Sequence, residues 1–341
     1  MGEITARRVV LAERPSGWPT LDNFRLEQFI PPPVPAGGLL LGVRYLSLDP
    51  YMRMRMDERS PYAGSVGVGE TMHGQAVAEV LRSEHLEYVE GDTVLAPAGW
   101  ASHAVSDGTG LRKLDPALAP VSTGLGVLGM PGFTAYAGLM VVGKPKPGET
   151  VVVSSASGPV GSVVGQLAKV VGCRAVGIAG GPDKCRYLRE EFGFDAAVDH
   201  RAPDFAEQLA AACPDGVDVY FENVGGAVWE AVLPLFNRFA RVALCGLLAQ
   251  YNGVGQAAEG DRLAETLRVV LTKNMTVRGF FNTEFVEDYY PEFLRVVSDG
   301  IMDGRIKYRE DVTEGLERAP EAFLRMLRGQ NFGKALIKVG E

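Results

Sequence analysis

Val151-Val152-Val153 runs into Ala156-Ser157-Gly158-Pro159-Val160-Gly161, and a helix-period stripe follows. Three β-branched residues in a row are a buried-strand signal. Beyond the turn, Val160, Val163, Val164, Leu167, Ala168 and Val171 recur at i, i+3, i+4, i+7, i+8 and i+11. That spacing is one apolar face of an α-helix, with Gly172 as its stop. Pro159 is expected at the first helical position, where a missing N–H costs nothing. Strand, glycine turn and helix in this order constrain the chain to an α/β layout. The glycines let backbone approach a pyrophosphate, which the free N–H groups of the helix start then hold. The usual G-x-G-x-x-G spacing has Ala156 in its first place here, so the flanking strand and helix carry the reading. A glycine-eased turn without nucleotide is the alternative.

Strands are expected at residues 150–154, 174–178, 196–199, 217–221, 241–244 and 276–280. Helical stretches at 182–192, 204–212 and 262–272 lie between them. Such alternation predicts a doubly wound parallel sheet covered on both faces. The N-terminal part reads as β-rich. A short apolar run at 39–43 follows the stiff Pro31-Pro32-Pro33-Val34-Pro35, and further runs lie at 76–80 and at 93–95, the last just after the turn Glu90-Gly91-Asp92; short strands parted by Gly, Pro and Asp are the pattern of a compact barrel-like domain. After Gly304 the chain is expected to return there through an amphipathic helix at 313–328 and a closing strand at 334–339. The expected division is a β-rich catalytic domain at 1–125 and 305–341 around a Rossmann domain at 126–304. Residues 60–69 and 253–260 read as loops.

A net charge of −8 gives a nucleic-acid partner no electrostatic support, so bound anions need local donors. No run of 18 apolar residues predicts a membrane span, and residues 1–11 lack the apolar core of a signal peptide. Cys173, Cys185, Cys213 and Cys245 form no C-x-x-C pair and no disulfide framework, which makes a reducing cytoplasm the expected compartment.

The second strand of the α/β part ends in Ala179-Gly180-Gly181 without the carboxylate that grips a ribose 2′-hydroxyl in NAD sites, and Lys184 follows. A cation beside a glycine-lined space suits a 2′-phosphate, so NADPH is the expected cofactor. Asp183 is read as the cap of the next helix. No metal is expected. There is no cysteine before Cys173, His73 is followed by Gly74-Gln75 without an adjacent acid, and His73, His85 and His103 each read as an ordinary packed or surface histidine. Hydride transfer without a Lewis acid needs a donor for the substrate oxygen. Tyr51, in Leu48-Asp49-Pro50-Tyr51-Met52-Arg53, and Tyr251, in Cys245-Gly246-Leu247-Leu248-Ala249-Gln250-Tyr251-Asn252, are the candidates. A phenol with a pKa near ~10 stays protonated at neutral pH and can donate to a developing enolate. Either ring is equally readable as a pocket wall. Asn223, after the fourth strand, is readable as a cofactor contact or an Asx turn, and Asn331 lies in a similar turn, Asn331-Phe332-Gly333-Lys334.

Together these stretches resemble the zinc-independent medium-chain reductases, in the branch of prostaglandin, alkenal double-bond and curcumin reductases. Residues 45–53 (YLSLDPYMR), 127–137 (VLGMPGFTAYA), 177–185 (GIAGGPDKC), 222–226 (ENVGG) and 331–334 (NFGK) carry the resemblance. It implies a Rossmann domain set within a GroES-like catalytic domain, and a homodimer joined through the nucleotide domains. It implies NADPH contacts at Gly158, Pro159, Val160, Gly161, Lys184, Asn223, Cys245, Gly246, Leu247, Tyr251, Phe280, Phe281 and Asn331. A cofactor-ribose tyrosine of some relatives is His200 here. Met72-His73-Gly74-Gln75 also departs from relatives, which are apolar or glycine-rich there. The implied activity is NADPH-dependent reduction of the carbon–carbon double bond of enones and enals, with Tyr51 and Tyr251 as catalytic donors. A quinone reductase of the same superfamily and a non-catalytic NADPH-binding protein are the alternatives.

Overall fold

The computed structural model describes residues 5–58, 64–253 and 262–340. Of the two expected loops, residues 60–63 and 254–260 lie outside this set. The chain begins with β1 (Ala6–Leu11), which pairs antiparallel with β2 (Phe24–Phe29). Neither strand was marked by an alternating pattern, because Val9, Val10 and Leu11 are all fully buried. Next come β3 (Leu39–Ser47), the short helix α1 (Tyr51–Arg55), β4 (Ala76–Ser83), β5 (Thr93–Ala96), β6 (His103–Ser106) and β7 (Arg112–Lys113). Helix α2 (Met130–Tyr136) continues into a π-helical stretch, Ala137–Gly143.

A regular alternation follows: β8 (Thr150–Val153), α3 (Gly161–Val171), β9 (Arg174–Ala179), α4 (Pro182–Glu190), β10 (Ala196–Asp199), α5 (Phe205–Ala212), β11 (Val217–Glu222), α6 (Gly226–Val232), β12 (Phe236–Leu244), α7 (Leu263–Lys273), β13 (Thr276–Gly279) and α8 (Val286–Met302). The last elements are β14 (Glu310–Glu314), α9 (Ala319–Leu327) and β15 (Lys334–Lys338). The expected helix at 313–328 is therefore shorter. Its first residues belong to β14, Gly315 turns the chain at φ 94°, and the helix starts only at Ala319. Helix α8 has no counterpart in the sequence reading, since Pro291 lies within it. Proline inside a helix removes one backbone bond and usually marks a break. Here Phe293 and Val297 are fully buried and hold the helix through that defect.

Two compact units result: Met1–Gly126 with Glu310–Glu341, and Val127–Arg309. In the first, a mixed sheet has the order β14-β15-β3-β4-β5-β7, with β6 also on β3. Its core includes a stack of Phe24 on Trp100, with Phe323 edge-on to both. In the second, six strands run in the order β10-β9-β8-β11-β12-β13, every pair parallel. Numbered within that unit, the order is 3-2-1-4-5-6, the doubly wound arrangement that places a ligand crevice at the carboxyl ends of its first and fourth strands. Gly304 ends α8 at φ 80°, but the chain stays with the second unit through Arg309. Ile306 is buried there, and the Lys307 N–H donates to Gln166 Oε1 at 2.7 Å.

Candidate active site

The crevice of the second unit starts at the end of β8. Ser155 takes φ 53°, and the Ala156 N–H then donates to Ile178 O at 2.9 Å, pinning the turn to β9. Ala156 is fully buried, so a methyl group is accommodated where the motif usually has glycine. Gly161 has no such latitude. A Cβ there would lie 2.5 Å from Ser155 O and 2.7 Å from Ala156 Cα. Regular helix begins at Gly161, so Pro159 precedes the first helical residue and is not the first helical position itself. The Ser162 N–H donates to Gly158 O at 3.0 Å and leads the chain into the helix. The first N–H groups of a helix lack acceptors within it, and here they face out of a tight glycine turn at the carboxyl end of β8. Such a cradle fits a pyrophosphate.

At the end of β9, Gly180 is overlain by two side chains from the end of β10. A Cβ on Gly180 would lie 3.0 Å from both His200 Nε2 and Arg201 Nε. Arg201 was not named from sequence, because only the missing side chain at Gly180 lets it lie over the strand end. A carboxylate does reach this corner: Asp199 Oδ1 accepts from the Gly181 N–H at 2.8 Å and the Arg201 N–H at 2.9 Å. Burial pushes its carboxyl pKa up, but these two donors outweigh that and hold it below the usual carboxylate range. Asp199 is thus spent on backbone and fixes the loop carrying His200 and Arg201. The His200 imidazole is shifted down by partial covering of its ring first and by the Arg201 guanidinium next, with Lys184 adding to the effect. Asp183 does not cap α4, whose cap residue is Gly181; it pairs with Arg186 at 2.6 Å.

The ends of β8 and β11 are tied together by buried polar groups. Ser154 Oγ donates to Glu222 Oε1 at 3.0 Å and accepts from the Asn223 N–H at 2.8 Å. Asn223 Nδ2 donates to Ser154 O at 2.8 Å. The side-chain amide of Asn223 therefore bridges two strands, which neither the cofactor-contact nor the Asx-turn reading anticipated. Glu222 is pushed up by burial, with the Val224 N–H opposing that shift. Cys245 follows β12, and burial first and Glu222 second push its thiol up to about 12, which leaves it unreactive. The 245–250 segment folds onto the 223–226 turn through Leu248 N–H to Asn223 O and Ala249 N–H to Val224 O, both 3.0 Å. Leu247 packs against Gly225, and Gly246 leaves room for the Tyr251 hydroxyl, which a Cβ would meet at 3.0 Å. Phe280 is buried edge-on against Phe221, whereas Phe281 is exposed.

Tyr51 and Asn331 belong to the first unit. Tyr51 opens α1, and the residues before it are held by a buried ion pair. Lys334 Nζ donates to Asp49 Oδ1 at 2.5 Å and to Leu48 O at 2.9 Å, while Ser47 Oγ donates to Asp49 Oδ2. Asp49 and Lys334 are almost fully buried. The Tyr51 phenol is pushed well above its ordinary value by burial and then by Asp49, with Arg55 opposing. It is a neutral donor throughout the neutral range. Asn331 Nδ2 donates to Gly333 O at 2.9 Å and shapes the turn before Lys334.

Residues 7–114 match the model for the N-terminal domain of oxidoreductase, and residues 159–299 match that for zinc-binding dehydrogenase. The NADPH-dependent curcumin reductase of Escherichia coli (strain K12) is 48% identical over 98% of this chain and 96% of its own length. Prostaglandin reductase 1 of Rattus norvegicus is 40% identical, over 98% of this chain and 99% of its own. The chain belongs to this curcumin and prostaglandin reductase family. Among solved structures, CurA of Vibrio vulnificus in complex with NADPH superposes with a TM-score of 0.94 at 45% identity, covering 98% of this chain and 99% of that one.

Among the described residues no group of three or more His, Cys, Asp or Glu side chains is gathered to hold a metal ion. Two of the family stretches meet in the structure, since Asp49 of one and Lys334 of the other form the buried pair behind Tyr51. Lys334→Met leaves Asp49 buried without its cation and is expected to cost about 3–5 kcal/mol. A lower urea midpoint checks this. Replacing both partners, as Asp49→Leu with Lys334→Met, is expected to recover most of the loss; a double variant as unstable as the single one would contradict the assignment.

Proposed function

We propose that this chain reduces the carbon–carbon double bond of α,β-unsaturated ketones and aldehydes with NADPH. The observation that carries the reading is near-full-length membership of the reductase family, joined to a nucleotide cradle beside which His200, Arg201 and Lys184 gather while the Asp199 carboxylate is taken up by backbone N–H groups. The second unit is assigned the dinucleotide and the first the substrate chemistry. When bound, NADPH supplies the hydride that ends on the β-carbon. Gly158, Pro159, Val160 and Gly161 would hold its pyrophosphate, and Lys184, His200 and Arg201 its 2′-phosphate. Asn223, Cys245, Gly246, Leu247, Phe280, Phe281 and Asn331 are further cofactor positions in this reading. Tyr51 donates to the oxygen that becomes the enolate, with Tyr251 as a second donor, and the α-carbon takes a proton. Preorganised donors of this kind do what a metal would otherwise do.

NADPH oxidation by a panel of enones, followed by absorbance, tests the activity. Tyr51→Phe or Tyr251→Phe is expected to lower kcat about 10²–10³-fold with a smaller change in KM; full activity in both would remove the donor role. For the cofactor, Arg201→Ala and Lys184→Ala are each expected to weaken NADPH about 10–100-fold, the range of one charged hydrogen bond, and to leave NADH unchanged. Fluorescence titration reads both, and an equal loss for the two nucleotides would defeat the 2′-phosphate assignment.

The reading extends to a homodimer joined through the second units. Strand β13 is the sheet's last strand and all four of its residues are exposed. Beside it α7 exposes Leu263, Leu267 and Leu271, an i, i+4, i+8 stripe. An open strand edge with an apolar helix stripe is a surface proteins usually cover. Leu267→Glu is expected to shift the sedimentation coefficient from dimer to monomer; a wild-type chain that already sediments as a monomer would end this part. Among the described residues no helix is long and apolar enough to cross a membrane. The four cysteines are free, which fits the reducing cytoplasm, and cell fractionation checks that compartment.

A further inference from the structure

Tyr51 lies on the wall of a cleft of about 600 Å³ within the first unit, whose polar side chains also include Arg55, His73, His103, Thr71, Gln75 and Glu70. Arg55, one helical turn after Tyr51, lines the same cleft and places its guanidinium carbon 5.4 Å from the centre of the Tyr51 ring. Arg55 Nη1 meets His73 Nδ1. Arg55 Nε is buried and has no hydrogen-bond partner among the described residues. Arginine cannot shed its proton in a protein, and a buried charged donor left unmet is costly. The contact with His73 needs a neutral ring whose Nδ1 accepts. Burial first, and Arg55 second, hold that imidazole below its ordinary value. Its proton then sits on Nε2, a second donor on the wall. Glu70 also lines the cleft, but it is exposed and accepts from the Gly67 N–H at 2.8 Å. His103, further round, has its Nδ1 against Ser102 Oγ at 3.0 Å.

We propose that Arg55, positioned by His73, anchors a carboxylate on the substrate, so that the preferred enones are ones that carry a carboxylate. With Nη1 engaged by His73, the Nε–Nη2 edge of the guanidinium remains, and a planar carboxylate takes such an edge in two parallel bonds. The carboxylate is acceptor-only, which suits the unmet Arg55 donor. The Arg55 guanidinium carbon lies 5.4 Å from the centre of the Tyr51 ring, so the two groups share one stretch of the cleft wall. A γ-keto acid carries an enone oxygen for Tyr51 and a carboxylate for Arg55 on one short chain and serves as the probe. The proposal rests on the enone-reductase reading for its chemistry but not for its binding.

The test compares (E)-4-oxohept-5-enoate with its methyl ester as substrates, and 4-oxoheptanoate with its own methyl ester as unreactive ligands measured by calorimetry. The wild-type protein is expected to favour each acid over its ester by about tenfold or more, the scale of a charged hydrogen bond. Arg55→Met is expected to bring both ratios to about one, Arg55→Lys to an intermediate value, and His73→Phe to lower them. Equal handling of acid and ester by the wild-type protein, or ratios unmoved in Arg55→Met, overturns the proposal. Arg55-dependent binding of 4-oxoheptanoate without turnover of either enone upholds the anchor and rejects the reductase reading instead. If Arg55→Met does not fold, the Arg55→Lys and His73→Phe ratios decide.

Discussion

The closeness of α3 to the sheet is the constraint on which the nucleotide crevice depends. A Cβ at Gly165 would lie 1.9 Å from Phe194 Cζ, and one at Gly177 would lie 2.9 Å from the Ala156 methyl group. Gly165 and Gly177 both make room for the Phe194 ring, and Gly161 lies against Ser155 O, so three glycines let the helix start approach the ends of β8 and β9. Only then do the N–H groups of the helix start stand at the mouth of the turn, where an anion can reach them. The alanine at 156 is compatible with this because its methyl group faces the glycine at 177.

Around that turn, polar groups are placed by backbone ties more than by side-chain freedom. Asp199 gives its carboxylate to two N–H groups and so fixes where His200 and Arg201 emerge. Ser154, Glu222 and Asn223 clamp the two strand ends flanking the crevice. In the first unit, Asp49 and Lys334 hold the start of α1 from opposite ends of the chain. Buried ionic groups are weak contributors to net stability, because desolvation offsets their attraction. Their value here is positional: the donors near each candidate reacting group are held before any ligand arrives, which is what electrostatic preorganisation requires.

The parallel sheet was legible because its inner strands β8, β9 and β11 are buried on both faces and read as apolar runs, and because α3 has an unbroken stripe ending at Gly172. The family stretches were legible for the same reason, being local. What the sequence concealed is mostly long-range. Lys334 and Asp49 are separated by 285 positions, and nothing in either stretch announces the other. Arg201 depends on a missing Cβ in another strand, and the Arg55–His73 contact on the fold of the first unit. Helix α8 was hidden by Pro291, and the start of α9 by β14, whose last residues, Thr313 and Glu314, fell within the amphipathic stretch. The role of Asp183 was misjudged because its charge finds Arg186, one turn on, before it finds the helix end.

The central claim is that hydride from NADPH ends on the β-carbon of an enone. Incubating the protein with an enone and NADPH deuterated at C4, then locating the label in the product by NMR, tests this most directly. The account predicts one deuterium on the β-carbon of a saturated ketone, delivered by one face of the nicotinamide. Deuterium on the former carbonyl carbon of an alcohol would contradict it.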